Sequence, residues 1–600
     1  MILQELYRLY ERLLASGAEG VPQMGSSVQK ITFCIELSAE GGYAFRDLRR
    51  TVELPAGKNG KTKTKLIPTD MLVLGGNKPP GSGLNPCFLF DNVAYLLGCT
   101  EAKKSPKEKA RAREAFAATR KKYLSLREVG LGAEYEALCR FYETWEPPTD
   151  LDALACEPAV REAMKTGNGV FRMQGQMQYL HELPRMGAWW HAQGMERWLG
   201  APKTEAASMM CLITGQEGSV ARVHAPQISG VRDASPMGAA LVSFNCNAFE
   251  SYGKEQGGNS PVSERAAFGY CNALNYLLRS SRQRVQLGDA TTVFWTDAPP
   301  DSAADWVQMI GFAFDEQPQA QDEAVMDRVR DLMRSIAAGQ PVVPPEAEAV
   351  RFFLLGLAPN VARLSVRFFL TGTMGDYMRR LAEHYAALRL QPRHEKFKDP
   401  ELIAPRRLLC ETVRDPAKDK IPSNYTEPLM RAILLGRPYP DSLAMAMLRR
   451  FKADRNVNYI RCAYLKAWLT RKNPSYQLTP MLDENNTQVG YVLGRLFALL
   501  QKTQDDALPN LNRTIRDAYY ASASSSPAYV FPRLFKLYNH HVAKLEGGRR
   551  VNREKEMQAV TALLGEFPAH LNTEQQGLFA LGFYHQTQAL FTKKTNPDNQ

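Results

Sequence analysis

Two hydrophobic periods coexist in this chain, and no single class of secondary structure accommodates both. From Gln29 to Leu37 the residues Ile31, Phe33, Ile35 and Leu37 alternate with Thr32, Cys34, Glu36 and Ser38. That period of two marks a half-buried β-strand. Near the other end, Val489, Val492, Leu493, Leu496 and Leu500 recur at spacings of three and four, the stripe of a helix buried along one face. The expected class is therefore α+β, with a mixed strand and helix N-terminal region followed by an all-helical C-terminal region that ends in a helical bundle.

A chain of 600 residues is too long for one core, and roughly 150 residues per domain implies about four cooperative units. Gly339, Pro341, Pro344 and Pro345 follow a helix-like segment ending near Ala338 and make the strongest hinge signal. A second break runs from Asn473 to Pro480, just ahead of Met481. These breaks predict an α+β recognition region at 1–340, a helical connecting region at 346–480 and a helical bundle at 481–600. Within the bundle, helical pieces are expected around Leu511 to Ala521, Phe531 to Leu545, Val551 to Leu564 and Gln575 to Leu590. The Trp145 to Pro148 break fits either a further boundary or a short loop.

No stretch approaches the roughly 20 apolar residues that a membrane-spanning helix needs. The start, Met1 to Leu14, mixes Glu5, Arg8, Glu11 and Arg12 among leucines, which reads as an amphipathic helix rather than a signal peptide. The ten cysteines are scattered, without a CxxC pair or a zinc-type Cys/His spacing, and fit a reducing cytoplasm. Net charge is +12, a field that favours anionic partners. Its densest local source is Glu101–Lys122, an Ala-rich helical stretch that holds nine basic residues, Lys103, Lys104, Lys107 and Lys109 among them, against three acidic ones.

Catalytic signatures are missing. The nine histidines form no HExxH, HxxxH or HD step, and neither a GxSxG elbow nor a GxxxxGK[ST] loop occurs. No enzyme activity, metal or cofactor is expected, although a metal-dependent nuclease whose carboxylates and histidines converge only in the fold is the alternative. His540 and His541 read as a helix surface.

Three stretches carry binding chemistry instead. Leu74–Pro86 reads LGGNKPPGSGLNP: Gly75 and Gly76 permit close backbone approach, while Asn77 and Lys78 offer polar tips able to probe the minor groove of DNA. An ordinary surface turn is the other reading. Lys58, Lys61, Lys63 and Lys65 alternate with small polar residues, as a phosphate-contacting strand or a solvated basic loop does. Leu241–Asn259 reads LVSFNCNAFESYGKEQGGN. Asn245, Asn247, Lys254, Gln256 and Asn259 supply amides and an ammonium, and Phe244, Phe249 and Tyr252 supply flat rings, a mixture suited to nucleic acid or to a hydrogen-bonded buried turn.

The order TGQEGSVARVHAPQISGV at Thr214–Val231, GAALVSFNCNAFESYGKEQGGNSPVSERAAFGYCNALNYLL at Gly238–Leu278, GDATTVFWTD at Gly288–Asp297 and LGLAPNVARLSVRFF at Leu355–Phe369 resembles the large subunit of the type I-C CRISPR surveillance complex, Cascade. With MILQELYRLYERL at the N-terminus, the resemblance covers most of the chain. It implies a non-catalytic subunit that joins crRNA-bound backbone subunits, recognises a short protospacer-adjacent motif (PAM) in target double-stranded DNA, promotes duplex opening and R-loop formation, and supports recruitment of a separate helicase-nuclease. It also implies a small subunit similar to the C-terminal part and produced from an internal start, for which Met481 is the candidate. On this reading, chemistry assigns Asn77 and Lys78, with Gly75 and Gly76, to the PAM. Lys254, Gln256 and Asn259 lie near the duplex opening, and Lys58, Lys61, Lys63, Lys103, Lys104, Lys107 and Lys109 track phosphate.

Overall fold

The computed structural model describes residues 2–54, 63–76, 83–199, 208–298, 311, 313–315, 331, 348–393, 399–509 and 511–591. The hinge expected at Gly339 to Pro345 lies outside them. The chain divides into two compact units, Met1–Ile228 with Val242–Tyr276 and Ser229–Leu241 with Leu277–Gln600.

The first unit is mixed. It begins with α1 (Ile2–Ala15), whose Leu6, Leu9, Tyr10 and Leu13 are buried. The strands β1 (Ser26–Leu37), β2 (Tyr43–Asp47), β3 (Arg50–Leu54), β4 (Lys63–Ile67), β5 (Thr69–Leu74) and β6 (Phe90–Asn92) follow. Then come α2 (Val93–Leu97), α3 (Pro106–Ser125), α4 (Ala133–Thr144), α5 (Pro158–Met164), β7 (Asn168–Met173), α6 (Pro184–Trp189) and α7 (Met195–Leu199). The strands β8 (Ser208–Met210) and β9 (Glu217–Ser219) form a small ladder, and α8 (Glu264–Arg279) belongs to this unit through Tyr276.

The alternating segment read from the sequence is β1, the organising strand. Its first half pairs antiparallel with β5, its second half antiparallel with β2, and β7 runs parallel to it from Ile31 to Leu37. The expected half-burial is exceeded, because Thr32, Cys34 and Glu36 are buried along with the apolar set. Glu36 is tolerated inside because Arg46 donates to it at 2.9 Å and Arg172 also bonds to it. Burial pushes its carboxyl up, and the two arginines more than offset that, leaving it below the ordinary carboxylate range. The Trp145 to Pro148 break is a loop, anchored by the Trp145 indole donating to Leu97 O at 3.0 Å.

The second unit opens with an antiparallel sheet, β10 (Arg284–Leu287), β11 (Ala290–Thr296), β12 (Arg351–Asn360) and β13 (Arg363–Thr373), paired in that order. The helical reading of 346–480 is therefore corrected at its start, where a long hairpin occupies residues 351–373. The reason is burial: Phe352–Ala358 are all inaccessible, so β12 reads as a continuous apolar run in which a period of two is invisible. Among the described residues helices follow without further strands: α9 (Met374–Leu388), α10 (Pro405–Cys410), α11 (Thr426–Leu434), α12 (Asp441–Asp454), α13 (Tyr459–Lys472), α14 (Val489–Ala507), α15 (Ile515–Ala523), α16 (Pro527–Val542), α17 (Gly547–Thr561) and α18 (Thr573–Phe591). The four helical pieces expected after residue 510 are α15 to α18, displaced by a few residues.

Glycines set how closely α14 and α18 approach. A Cβ on Gly494 would sit 2.0 Å from Phe579 O, and one on Gly582 would sit 2.1 Å from Tyr491 O. Met481 is exposed in the connection between α13 and α14. Helices on both sides of it share one core: Trp468 and Leu469 of α13 pack against Gly577 of α18, and Cys462 Sγ contacts Ala580 O at 3.9 Å.

Two expected outcomes follow from this packing. Gly494→Ala forces the backbones of α14 and α18 apart and lowers stability by about 2 kcal/mol or more, whereas Gly565→Ala, whose Cβ meets nothing within 4 Å, leaves the thermal midpoint unchanged. His384 and His585 are buried beside Tyr439 and Tyr491, and desolvation pushes both down to about 3. Above a pH of about 6.5 the ring is neutral whether the chain is folded or not. Below it only the unfolded chain takes up the protons, so each ring costs about 2 kcal/mol by pH 5. Urea midpoints measured between pH 7.5 and 5 check that slope.

Candidate nucleic-acid interface

The amide-rich stretch folds into an exposed loop built on one impossible side chain. A Cβ on Gly257 would lie 2.0 Å from Ala221 O, so only glycine lets residues 256–259 press against 221–222. Once there, the Gly257 amide donates to Arg222 O at 3.1 Å, and Arg222 Nη1 donates to Gln256 Oε1 at 2.6 Å. The chain just beyond is fixed in turn by Ala221 N to Val262 O at 2.9 Å and by Ser263 N to Cys211 Sγ at 3.3 Å.

From this base a two-residue hairpin projects. Ser251 and Lys254 face each other, with Lys254 N donating to Ser251 O at 3.0 Å. Tyr252 and Gly253 both have positive φ, +54° and +66°, the mark of a type I′ turn. Tyr252 is 99% exposed, so a full aromatic face stands in solvent beside the Lys254 ammonium, the pair of groups that stacks a base and neutralises its phosphate.

The three residues assigned to the duplex opening are thus brought together, but in different roles. Lys254 is exposed at the tip. Gln256 is engaged through its Oε1 by Arg222. Asn259 spends its side chain on the loop itself: Oδ1 accepts from Ser251 N at 2.9 Å, and Nδ2 donates to Lys254 O and Gln256 O at 2.9 and 3.0 Å. It positions the tip rather than presenting an open amide.

The glycine loop starts and ends on fixed supports. Gly75 N donates to Gly25 O at 2.7 Å, Ser27 Oγ donates to Gly75 O at 2.7 Å, and Gly75 lies against Phe90 and Trp190. At the far end, Trp198 Nε1 donates to Pro86 O at 2.8 Å and Phe88 stacks on Trp190 with centroids 5.0 Å apart. Gly76 is exposed, with space around it. Asn77, Lys78, Lys58 and Lys61 lie outside the described residues; Lys63 opens β4 opposite Leu54.

The basic stretch is helical from Pro106, not from Glu101, because Ser105 caps α3 in a capping box with Glu108. Lys103 and Lys104 therefore precede the helix. They pair with Glu101 at 2.9 Å and Glu108 at 3.1 Å, and Lys109 pairs with Asp150 at 3.4 Å. Lys107 is exposed on the first turn. The Ser105 hydrogen bonds and the Lys104 ammonium hold the Glu108 carboxyl down to about 2. Among the described residues, no hydrogen bond or ion pair joins this stretch to the hairpin.

No group of three or more His, Cys, Asp or Glu able to hold a metal occurs among the described residues. No helix of the described residues is long and apolar enough to cross a membrane. All ten cysteines are free. Of the adjacent histidines, His541 is buried and His540 exposed on α16. Arg222 escaped the sequence reading, since its partner Gln256 is 34 positions away.

A family model described as CRISPR-associated protein (Cas_Csd1) matches residues 6–591. The chain belongs to this CRISPR-associated family. Membership makes it a Cascade-type large subunit and a component of such a complex. No protein with a curated description matches it.

The Asn259 brace predicts a measurable loosening. Asn259→Ala increases the rate of trypsin cleavage after Lys254 by about tenfold or more, with a shift of the thermal midpoint too small for global unfolding, since local opening is governed by local contacts. Gly257→Ala, by contrast, lowers the midpoint itself.

Proposed function

We propose that this chain is the non-catalytic large subunit of a type I-C Cascade, reading the PAM in duplex DNA, promoting strand separation and R-loop formation, and supporting recruitment of a separate helicase-nuclease that performs the cleavage in the cytoplasm. The observation that carries the reading is the family match over nearly the whole chain, joined to a rigidly based hairpin that offers Tyr252 and Lys254 to solvent. Guide pairing reads the long sequence in such an assembly, so the protein needs only short-motif and shape readout with cationic surface for the backbone.

Gly75 and Gly76, leaving β5 on an anchored backbone, support a close approach of the Asn77 and Lys78 segment to a groove. The lysines before and on α3 support phosphate contact. The Lys103 and Lys104 side chains are exposed and solvent screens their ion pairs, so a phosphate can take over either ammonium. The crRNA-bound backbone subunits and a small subunit starting at Met481 complete the proposed partners. Because α18 also packs on α13, a chain starting at Met481 needs another surface to cover that face.

The assembled complex, with and without this subunit, is the test. Omitting it abolishes the affinity difference between duplexes with correct and incorrect flanking motifs; retained discrimination would falsify the reading. Within the complex, Asn77→Ala with Lys78→Ala weakens PAM duplex binding about tenfold or more and spares a pre-opened target. Glu at 103, 104, 107 and 109 lowers affinity for all sequences and flattens the dependence on salt.

A further inference from the structure

Beside the hairpin lies a cavity of about 320 Å³ walled by the 222–224 segment, the 242–250 segment and the turn at Gln256. Its volume falls at the lower end of small-ligand sites, roughly 300–1,000 Å³. The wall mixes apolar and polar surface: the half-buried Phe244 ring on one side, and the side chains of Asn247, Glu250, Gln256 and Arg222 around it. Arg222 and Glu250 carry opposite charges, and the guanidinium is already engaged by Gln256. Nothing here concentrates positive charge for a phosphate. The chemistry suits a neutral, flat group with a hydrogen-bonding edge.

His224 supplies the second observation. It lines the cavity, is only 4% exposed, and its Nε2 is buried with no partner. Its Nδ1 lies 2.6 Å from the Tyr270 hydroxyl. Burial pushes Tyr270 far up and His224 down, so both groups stay neutral and one proton is shared between the hydroxyl and Nδ1. A buried ring nitrogen without a partner among the described residues is costly in a native protein, and the polar edge of a ligand would relieve it.

We infer that this cavity receives one unstacked nucleobase of a single-stranded nucleic acid, held against Phe244 with its polar edge toward His224, Asn247 and Glu250. The inference rests on the proposed nucleic-acid role and extends it: the hairpin tip stacks and neutralises outside, while the cavity captures a base displaced from the stack. Amides and a carboxylate accept and donate to base edges, and unstacked bases are read in this way when splayed from a strand.

Cys246 makes the cavity directly observable, because it lines the wall and is the one exposed cysteine of the ten. The full-length chain is alkylated with iodoacetamide alone and with saturating 12-nucleotide single strands, of DNA and of RNA, each intact and abasic at every position in turn. Modification of Cys246 is read by peptide mass, and binding of the same strands and of a PAM duplex by fluorescence anisotropy. The expected result is about tenfold protection by an intact strand, lost when one particular base is removed and lost in Asn247→Ala, an exposed position that leaves folding intact. The two sugar types distinguish displaced DNA from guide RNA as the source. Equal protection by every abasic strand, or strand binding with no protection, overturns the cavity proposal alone. Absence of binding to any strand or duplex overturns it together with the functional reading it rests on.

Discussion

The candidate interface depends on a contact that no side chain can share, the approach of Gly257 to the backbone oxygen of Ala221 at a distance where a Cβ would be 2.0 Å from that oxygen. Because this contact is steric rather than attractive, it works by exclusion: it admits one residue type and one separation. Every polar feature nearby is referenced to it. Arg222 meets Gln256, Asn259 closes the turn, and Tyr252 with Lys254 is held outward, so little conformational entropy remains to be lost when a ligand is engaged. A loop of the same composition on a mobile base would bury its amides against itself or lose them to water.

The glycine loop and the helical bundle use related physics with different partners. Trp190 supports Gly75 and stacks on Phe88, while Trp198 holds Pro86, so one aromatic cluster fixes both ends of the loop. In the second unit, Gly490, Gly494 and Gly582 remove side chains where α14 and α18 meet. His585 Nδ1 and Tyr491, then Arg495 and Gln586, hydrogen-bond across that same contact. Arg495 donates to the backbone carbonyls of Asp483 and Glu484, tying down the connection that contains Met481. Burial lowers its pKa from the usual guanidinium value. The cost of desolvating a charge is thus spent on holding a loop.

Some of this architecture is written locally. The alternation at Ile31 to Leu37 and the stripe from Val489 to Leu500 appear in the fold as β1 and α14, and the capping pair Ser105 and Glu108 marks where α3 begins. Residues 351–360 misled, since a strand buried on both faces loses the alternation that reveals it. At the interface, the stretch 241–259 stood out by composition, yet composition did not separate Lys254, which faces solvent, from Asn259, which is consumed by its own loop. Of the lysines assigned to phosphate around residue 105, Lys103, Lys104 and Lys109 have acidic neighbours, one of them 41 positions away.

By itself, the order of residues determined the class of the protein, the helical character of its second half, the basic balance and the places where amides and rings are concentrated, because periodicity, capping and charge act over a few residues. Only the tertiary structure decided which of those groups face outward. The meeting of Arg222 with Gln256, of His224 with Tyr270 and of Gly257 with Ala221 joins positions 34 to 46 residues apart. No local pattern encodes such a pairing, since it arises from how the intervening chain closes on itself.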